Sequence, residues 1–243
     1  MVLVHGYAEH SGRYDRIAGI LENHEYSITR FDLRGYGRSP GTPALVSTLD
    51  EYVDDLVLVV EDQTDSSIPL ILFGHSMGGL IVLRSLLTRQ LQPSAMILSS
   101  PALAFFEPRL LQKLSGVIGR LLPAIQTIPL NRDLVSRNAD VVKAARADPL
   151  CYQGRIKAGT GAAIVRAAGQ VNAALDEVHV PFLVLHGEQD RLVDFKGSKR
   201  LYNEASSIDK TLNLYPESVH ETLNDYGHEQ VETDIVHWLD ERF

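Results

Sequence analysis

Ser76 stands in Gly74-His75-Ser76-Met77-Gly78, a G-x-S-x-G string between the apolar runs "LILF" and "LIVL". A serine hydroxyl is a poor nucleophile until a neighbouring base takes its proton. That base needs a carboxylate to hold its tautomer. Downstream, Asp190 in "EQDRLVD" and His220 in "ESVHETLND" supply these groups in the order serine, acid, histidine. Asp194 is the runner-up carboxylate and Glu188 a weaker one. A developing oxyanion needs two donors. The Met77 N–H follows the nucleophile, and the Tyr7 N–H lies in the His5-Gly6-Tyr7 loop. Together these residues would perform acyl transfer through a Ser76 ester. Alone, G-x-S-x-G also fits an ordinary glycine-rich turn, so the elements around it decide.

Those elements alternate. "VLV" (2–4), "YSITRFD" (26–32), "PLILFG" (69–74), "SAMILSS" (94–100), "PFLVLHG" (181–187) and "KTLNLYP" (210–216) read as strands, the apolar ones buried on both faces of a parallel sheet. The spacing of Leu49, Tyr52, Val53, Leu56 and Val60 predicts one helix; that of Val231, Ile235, Trp238 and Leu239 predicts another. The result is an α/β sandwich, with Ser76, Asp190 and His220 just past strand ends. From about 102 to 175 no strand is expected. "PRLLQKLSGVIGRLLPAI", with the stripe Leu110, Leu111, Leu114, Ile118, Leu121 and Leu122, reads as a helix, as do "NADVVKAARADP" and "GAAIVRAAGQVNAAL". The expected organisation is a core of residues 1–101 and 176–243 with a helical cap at 102–175. The cap stripe, with Phe105 and Phe106, suits an acyl tunnel and a docking surface for lipid, or simple packing on the sheet.

Composition narrows the partners. The chain has 243 residues, 44% hydrophobic and 22% charged, with a formal net charge of -8. That charge argues against nucleic acid, and against an anionic membrane surface as the main partner. The single cysteine, Cys151, excludes an internal disulfide and reads as a small buried packing residue. No run of about 20 apolar residues offers a membrane span, and the first residues lack a leader pattern, so a cytoplasmic protein is expected. No His/Cys cluster has ligand spacing, so no metal or cofactor is expected. His75 reads as support for the serine turn, His186 as strand-end packing, and His24, His179, His228 and His237 as loop or helix-face residues.

"HGYAEHSGRY" (5–14), "FDLRGYGRSPG" (31–41), "GHSMGG" (74–79), "HGEQDRLVD" (186–194) and "YPESVHETLND" (215–225) together resemble the monoacylglycerol lipases of the α/β-hydrolase superfamily, in order and over nearly the whole chain. The cap string "DPLCYQGRIKAG" (148–159) resembles bacterial members. The resemblance implies the α/β-hydrolase fold, with a mostly parallel sheet and an inserted helical cap. It implies hydrolysis of a monoacylglycerol to glycerol and fatty acid, with Ser76, Asp190 and His220 as triad and Tyr7 and Met77 as oxyanion donors. Glu9 and Arg13 match positions near the family's glycerol pocket and would bind the substrate's diol. Three departures stand out. Ala8 replaces a usual glycine, Glu217 stands near another, and the family's first strands are missing, which leaves "YSITRFD" at a sheet edge. A general carboxylesterase or lysophospholipase would carry the same triad, and a non-catalytic ligand-binding protein the same fold. A dehalogenase would need an aspartate in place of Ser76.

Overall fold

The computed structural model describes residues 1–63, 67–88, 90–106 and 119–243. Six strands form one sheet: β1 (Val2–Val4), β2 (Thr29–Arg30), β3 (Ile71–His75), β4 (Ala95–Ser99), β5 (Phe182–Gly187) and β6 (Lys210–Tyr215). Their order is β2-β1-β3-β4-β5-β6 and every pairing is parallel. The described helices are α1 (Asp15–Asn23), α2 (Asp50–Gln63), α3 (Met77–Leu87), α4 (Ala139–Ala147), α5 (Ala158–Asn172), α6 (Lys196–Glu204) and α7 (His228–Asp240).

The strand period of two sorts the core into two layers. Val2, Val4, Leu72, Met96, Leu98, Phe182 and Val184 point to the side of α2, α3 and α5. Leu3, Ile71, Phe73, Ala95, Ile97, Leu183 and Leu185 meet the other side, where α7 presents Val231, Ile235, Trp238 and Leu239. The last four are the residues whose spacing predicts that helix. β1, β3, β4 and β5 are buried throughout, whereas the edge strands β2 and β6 are half-buried.

The strand read at 26–32 shrinks to Thr29–Arg30. β1 gives it two residues to pair with, Val2 and Leu3. Beyond Arg30 the chain leaves the sheet, and the Asp32 carboxylate accepts from the amides of Ser11 (2.8 Å) and Arg38 (2.8 Å). Local hydrogen bonds thus replace ladder bonds. Between β4 and β5 the described residues form helices and one antiparallel bridge, Gln126 with Lys157. The stripe residues Leu110, Leu111, Leu114 and Ile118 lie outside the described residues. α5 buries Ala163, Ala167, Ala168 and Val171 in the same core as the sheet.

Strand order reverses direction at β1, whose neighbours are β2 and β3. Such a switch point opens a crevice at the carboxyl ends of the strands. Here it sets the loop after β1 beside Ser76, and α3 must lean on β1 to get there. A Cβ at Gly78 would lie 2.1 Å from the Val4 carbonyl oxygen. Gly78→Ala is expected to cost about 3 kcal/mol in thermal or denaturant unfolding. Gly169→Ala, on an open face of α5 where an added Cβ meets nothing within 4 Å, is expected to cost nothing.

Candidate active site

Ser76 caps α3 with φ 52 and ψ -114, a backbone that L-residues rarely adopt. The surroundings impose it. Gly74 has no room for a Cβ, which would sit 2.5 Å from the Gly78 oxygen. The Ser76 amide donates to Ser99 (2.8 Å) from β4, and its carbonyl accepts from Leu80 (3.2 Å) and Ala102 (3.0 Å). The strained turn lifts the hydroxyl off the sheet's end.

His220 and Asp190 meet it there. Asp190 Oδ2 accepts from His220 Nδ1 at 2.6 Å, which leaves Nε2 free to accept from the Ser76 hydroxyl at 2.9 Å. Asp190 is fully engaged: Oδ1 accepts from the amides of Leu192 (2.7 Å) and Val193 (3.0 Å), and Oδ2 also from His186 Nε2 (3.1 Å). Burial alone would raise its pKa, but the neighbouring His220 and the hydrogen bonds from His186 and His220 hold it well below the usual carboxylate range. His186 is therefore more than packing, since Nδ1 accepts from Ser198 Oγ (2.7 Å) and fixes its tautomer. Asp194, the runner-up carboxylate, takes no part in this contact and accepts instead from the Lys196 amide (3.0 Å) at the start of α6.

Burial would lower the His220 pKa, but the charge and hydrogen bond of Asp190 raise it overall, helped by Glu221 and Glu9. His75, with its ring 4.9 Å from that of His220, is pushed down to about 4 by burial and by His220 itself, and meets Ser99 Oγ at 3.1 Å.

The loop after β1 closes the site. A Cβ at Gly6 would press within 3.3 Å of Ser76 Cβ and 2.8 Å of Glu9 Oε1, so only glycine lets the loop approach. Tyr7 follows it, and Met77 opens α3, where the N–H has no intrahelical acceptor. Ala8 is left-handed (φ 63), which explains why a glycine is usual there and costs about 1 kcal/mol. Glu9 accepts from the Gly6 amide (2.6 Å), the Tyr14 hydroxyl (2.6 Å) and Arg13 (2.9 Å). Burial would raise the Glu9 pKa, but Arg13 and the nearby histidines lower it.

Residues 1–227 match the family described as serine aminopeptidase, S33. The chain is 35% identical over 243 residues to the monoacylglycerol lipase of Mycolicibacterium smegmatis, covering 98% of this chain and 87% of that protein. It is 33% identical to human monoglyceride lipase, with coverages of 98% and 81%. The crystal structure of Paleococcus ferrophilus monoacylglycerol lipase superposes with a TM-score of 0.90 at 33% identity, over 98% of this chain and 92% of that one. This chain belongs to the monoacylglycerol lipase family of α/β-hydrolases. It is a serine ester hydrolase, and the fold expected from its sequence is the fold it has.

Within this lipase fold several supporting residues carry no sequence signal. Ser100, itself left-handed (φ 45), donates to the His220 carbonyl at 2.7 Å. Buried Asp225 accepts from the Val219 amide (3.0 Å) and from Arg137 Nε (2.9 Å). Glu221 receives both Arg13 terminal nitrogens. The segment before β5 touches the site's rim. Arg132 Nη2 donates to the Tyr152 carbonyl (2.5 Å), with the Ala8 carbonyl at 3.4 Å, and His10 Nε2 meets Asp148 Oδ2 at 2.8 Å. His10, Asp148 and Cys151 bring three ligand-type atoms within 4.8 Å of one another, a cluster that the sequence spacing hides. His10 Nδ1 accepts from the Gly12 amide (3.2 Å), so Nε2 carries the proton toward Asp148. Burial pushes the Cys151 thiol up to about 11, so it stays protonated. The trio is a latch between the loop after β1 and residues 148–151.

The raised His220 pKa has a kinetic consequence, since an imidazole must be neutral to take the Ser76 proton. kcat/KM on a soluble ester is expected to fall as pH drops through a value above the ordinary imidazole figure of about 6.5. An acid limb below that figure would show that Asp190 does not dominate His220.

Proposed function

We propose that the chain hydrolyses monoacylglycerols to glycerol and a fatty acid. Ser76 attacks the ester carbonyl, and His220 takes its proton and returns it to the departing glycerol. Asp190 holds the imidazole tautomer and stabilises its charged form. The amides of Tyr7 and Met77 receive the oxyanion, and water then repeats the cycle on the acyl-enzyme. The observation that carries this reading is the hydrogen-bond chain from Ser76 through His220 to Asp190, at 2.9 and 2.6 Å. The named lipases at 33–35% identity support the substrate class. Glu9 and Arg13 are carried as residues beside the glycerol moiety. Their side chains are 5% and 11% exposed, and their visible bonds run to protein groups, so any diol contact is made at their edges.

Residues 102–175 are read as the cap, with α5 as its anchor in the core. The cap's outer stretch exposes Leu121, Leu122, Ile125 and Ile128. The Ile128 carbonyl accepts from the Ile156 amide (3.0 Å) and the Ile125 carbonyl from Ala158 (2.9 Å), so Arg155 and Lys157 flank these side chains. No Asp or Glu occurs from 149 to 175. An apolar face edged by cations in a chain of net charge -8 suits a transient contact with a lipid surface, which the whole-chain charge conceals.

Rates on mono-, di- and triacylglycerol of one chain length, with lysophospholipid and p-nitrophenyl butyrate alongside, test the substrate. Preference for the monoacylglycerol is expected, and flat rates would indicate a general carboxylesterase. Ser76→Ala should remain folded and lose at least about 10⁴-fold in kcat on every ester. Leu121→Ser with Leu122→Ser is expected to slow hydrolysis of vesicle-borne monoacylglycerol several-fold while leaving p-nitrophenyl butyrate untouched; equal loss on both would remove the lipid contact.

A further inference from the structure

Glu221 follows His220 directly and is buried, yet nothing in the triad chemistry calls for it. Arg13 Nη1 donates to Glu221 Oε1 at 2.7 Å and Nη2 to Oε2 at 2.7 Å, a two-pronged pairing across 208 residues of chain. Arg13 Nη1 also donates to Glu9, and Glu9 receives the Gly6 amide. The covalent and hydrogen-bonded path therefore runs from His220 to Glu221, Arg13, Glu9 and Gly6, the residue before Tyr7. The Glu221 amide adds a third tie, donating to the Val135 carbonyl (2.8 Å) of the cap segment, and Asn224 Nδ2 donates to Oε2 (3.2 Å).

We propose that Glu221 is a positioning residue: through Arg13 it fixes the histidine loop against the oxyanion loop, whatever alcohol the ester carries. The proposal rests on Ser76 and His220 acting as nucleophile and base. A planar guanidinium donating to two carboxylates has a narrow geometry, and a fork of two parallel bonds resists both sliding and twisting. A shift of about 1 Å between base and oxyanion donors is enough to slow acyl transfer strongly. The pairing also leaves one net negative charge, since Glu9 and Glu221 flank a single Arg13. That charge adds to Asp190 in favouring the imidazolium. The charged or titratable groups facing His220 are Asp190 from the β5 loop, Glu221 from its own loop, Glu9 and Arg13 from the loop after β1, and His75 beside the serine. Removing the Glu221 charge leaves Arg13 balanced by Glu9 alone and so lowers the His220 pKa.

Glu221→Gln, Glu221→Asp and wild type are compared on p-nitrophenyl butyrate and on glyceryl monobutyrate. Rates are expressed per site titrated with a fluorophosphonate probe, so unfolded protein is not counted. For Glu221→Gln, kcat should fall about tenfold on both esters with KM within about twofold. The acid limb of kcat/KM should move to lower pH by about half a unit. Glu221→Asp, which keeps the charge, should hold the limb and recover part of kcat. Wild-type kcat and limb in Glu221→Gln would overturn the proposal. So would a loss confined to KM for the glyceryl ester, because that is the mark of diol binding. If Glu221→Gln yields no titratable protein, Arg13→Lys keeps the charge and loses the fork. Equal kcat loss on both esters then supports the positioning role, and wild-type kcat overturns it. A wild type inactive on both esters, or a Ser76→Ala that retains activity, would instead sink the assignment of the site.

Discussion

Everything at the site depends on how closely α3 approaches β1 and β3. The absent Cβ atoms of Gly74 and Gly78 let the helix start within van der Waals contact of two strands. At that contact Ser76 takes positive φ, and its backbone is held there by hydrogen bonds with Ser99, Leu80 and Ala102. The same approach brings the end of β1 beside the serine, so Ser76 and the loop that carries Tyr7 are set by a single steric constraint. Gly6 and Gly187 repeat the device. The first lets the loop after β1 touch Ser76, and the second lets β5 touch the histidine loop at Ser218 and Val219.

Charge does what packing cannot. Packing brings loops together but leaves them free to slide, whereas short bonds to ionised groups fix direction. Asp190 holds four donors, and Asp225 and Glu221 each hold an arginine. These carboxylates lie within 35 residues at the carboxyl edge of one half of the sheet. They secure a histidine loop that has little secondary structure of its own. The loop's mobility is thus limited by ion pairs and capped amides instead of a ladder.

The meeting of Ser76, Asp190 and His220 was legible because each follows a strand, and strand ends in a parallel sheet share one edge. Ser76 had a local motif, and Asp190 and His220 had position and order. Glu221 had neither. Its partner is 208 residues away, and no local pattern says that the loop after β1 will meet the loop after β6. Ser100 was hidden for the same reason, its partner lying 120 residues away. The Thr29–Arg30 strand was overread because β-branched and aromatic residues at 26–32 suit a strand, while only β1 stands beside it. For Glu9 and Arg13 the resemblance points to the loop after β1, and the structure adds Glu221 as a second carboxylate on Arg13.

Buried ion pairs are poor sources of stability, because desolvation consumes most of the Coulomb gain. The Glu9–Arg13–Glu221 group is therefore hard to explain as a device for folding. An apolar trio of similar volume would hold the loops about as firmly against unfolding, but it would let them shift by fractions of an ångström and would place no charge behind His220. Acyl transfer needs both things the apolar trio lacks, since the imidazolium forms at the moment the oxyanion does. Asp190 alone meets the imidazolium from the Nδ1 side. A further net negative charge in the same buried region adds to the field that favours it, and the fork of Arg13 ties that charge to the loop after β1.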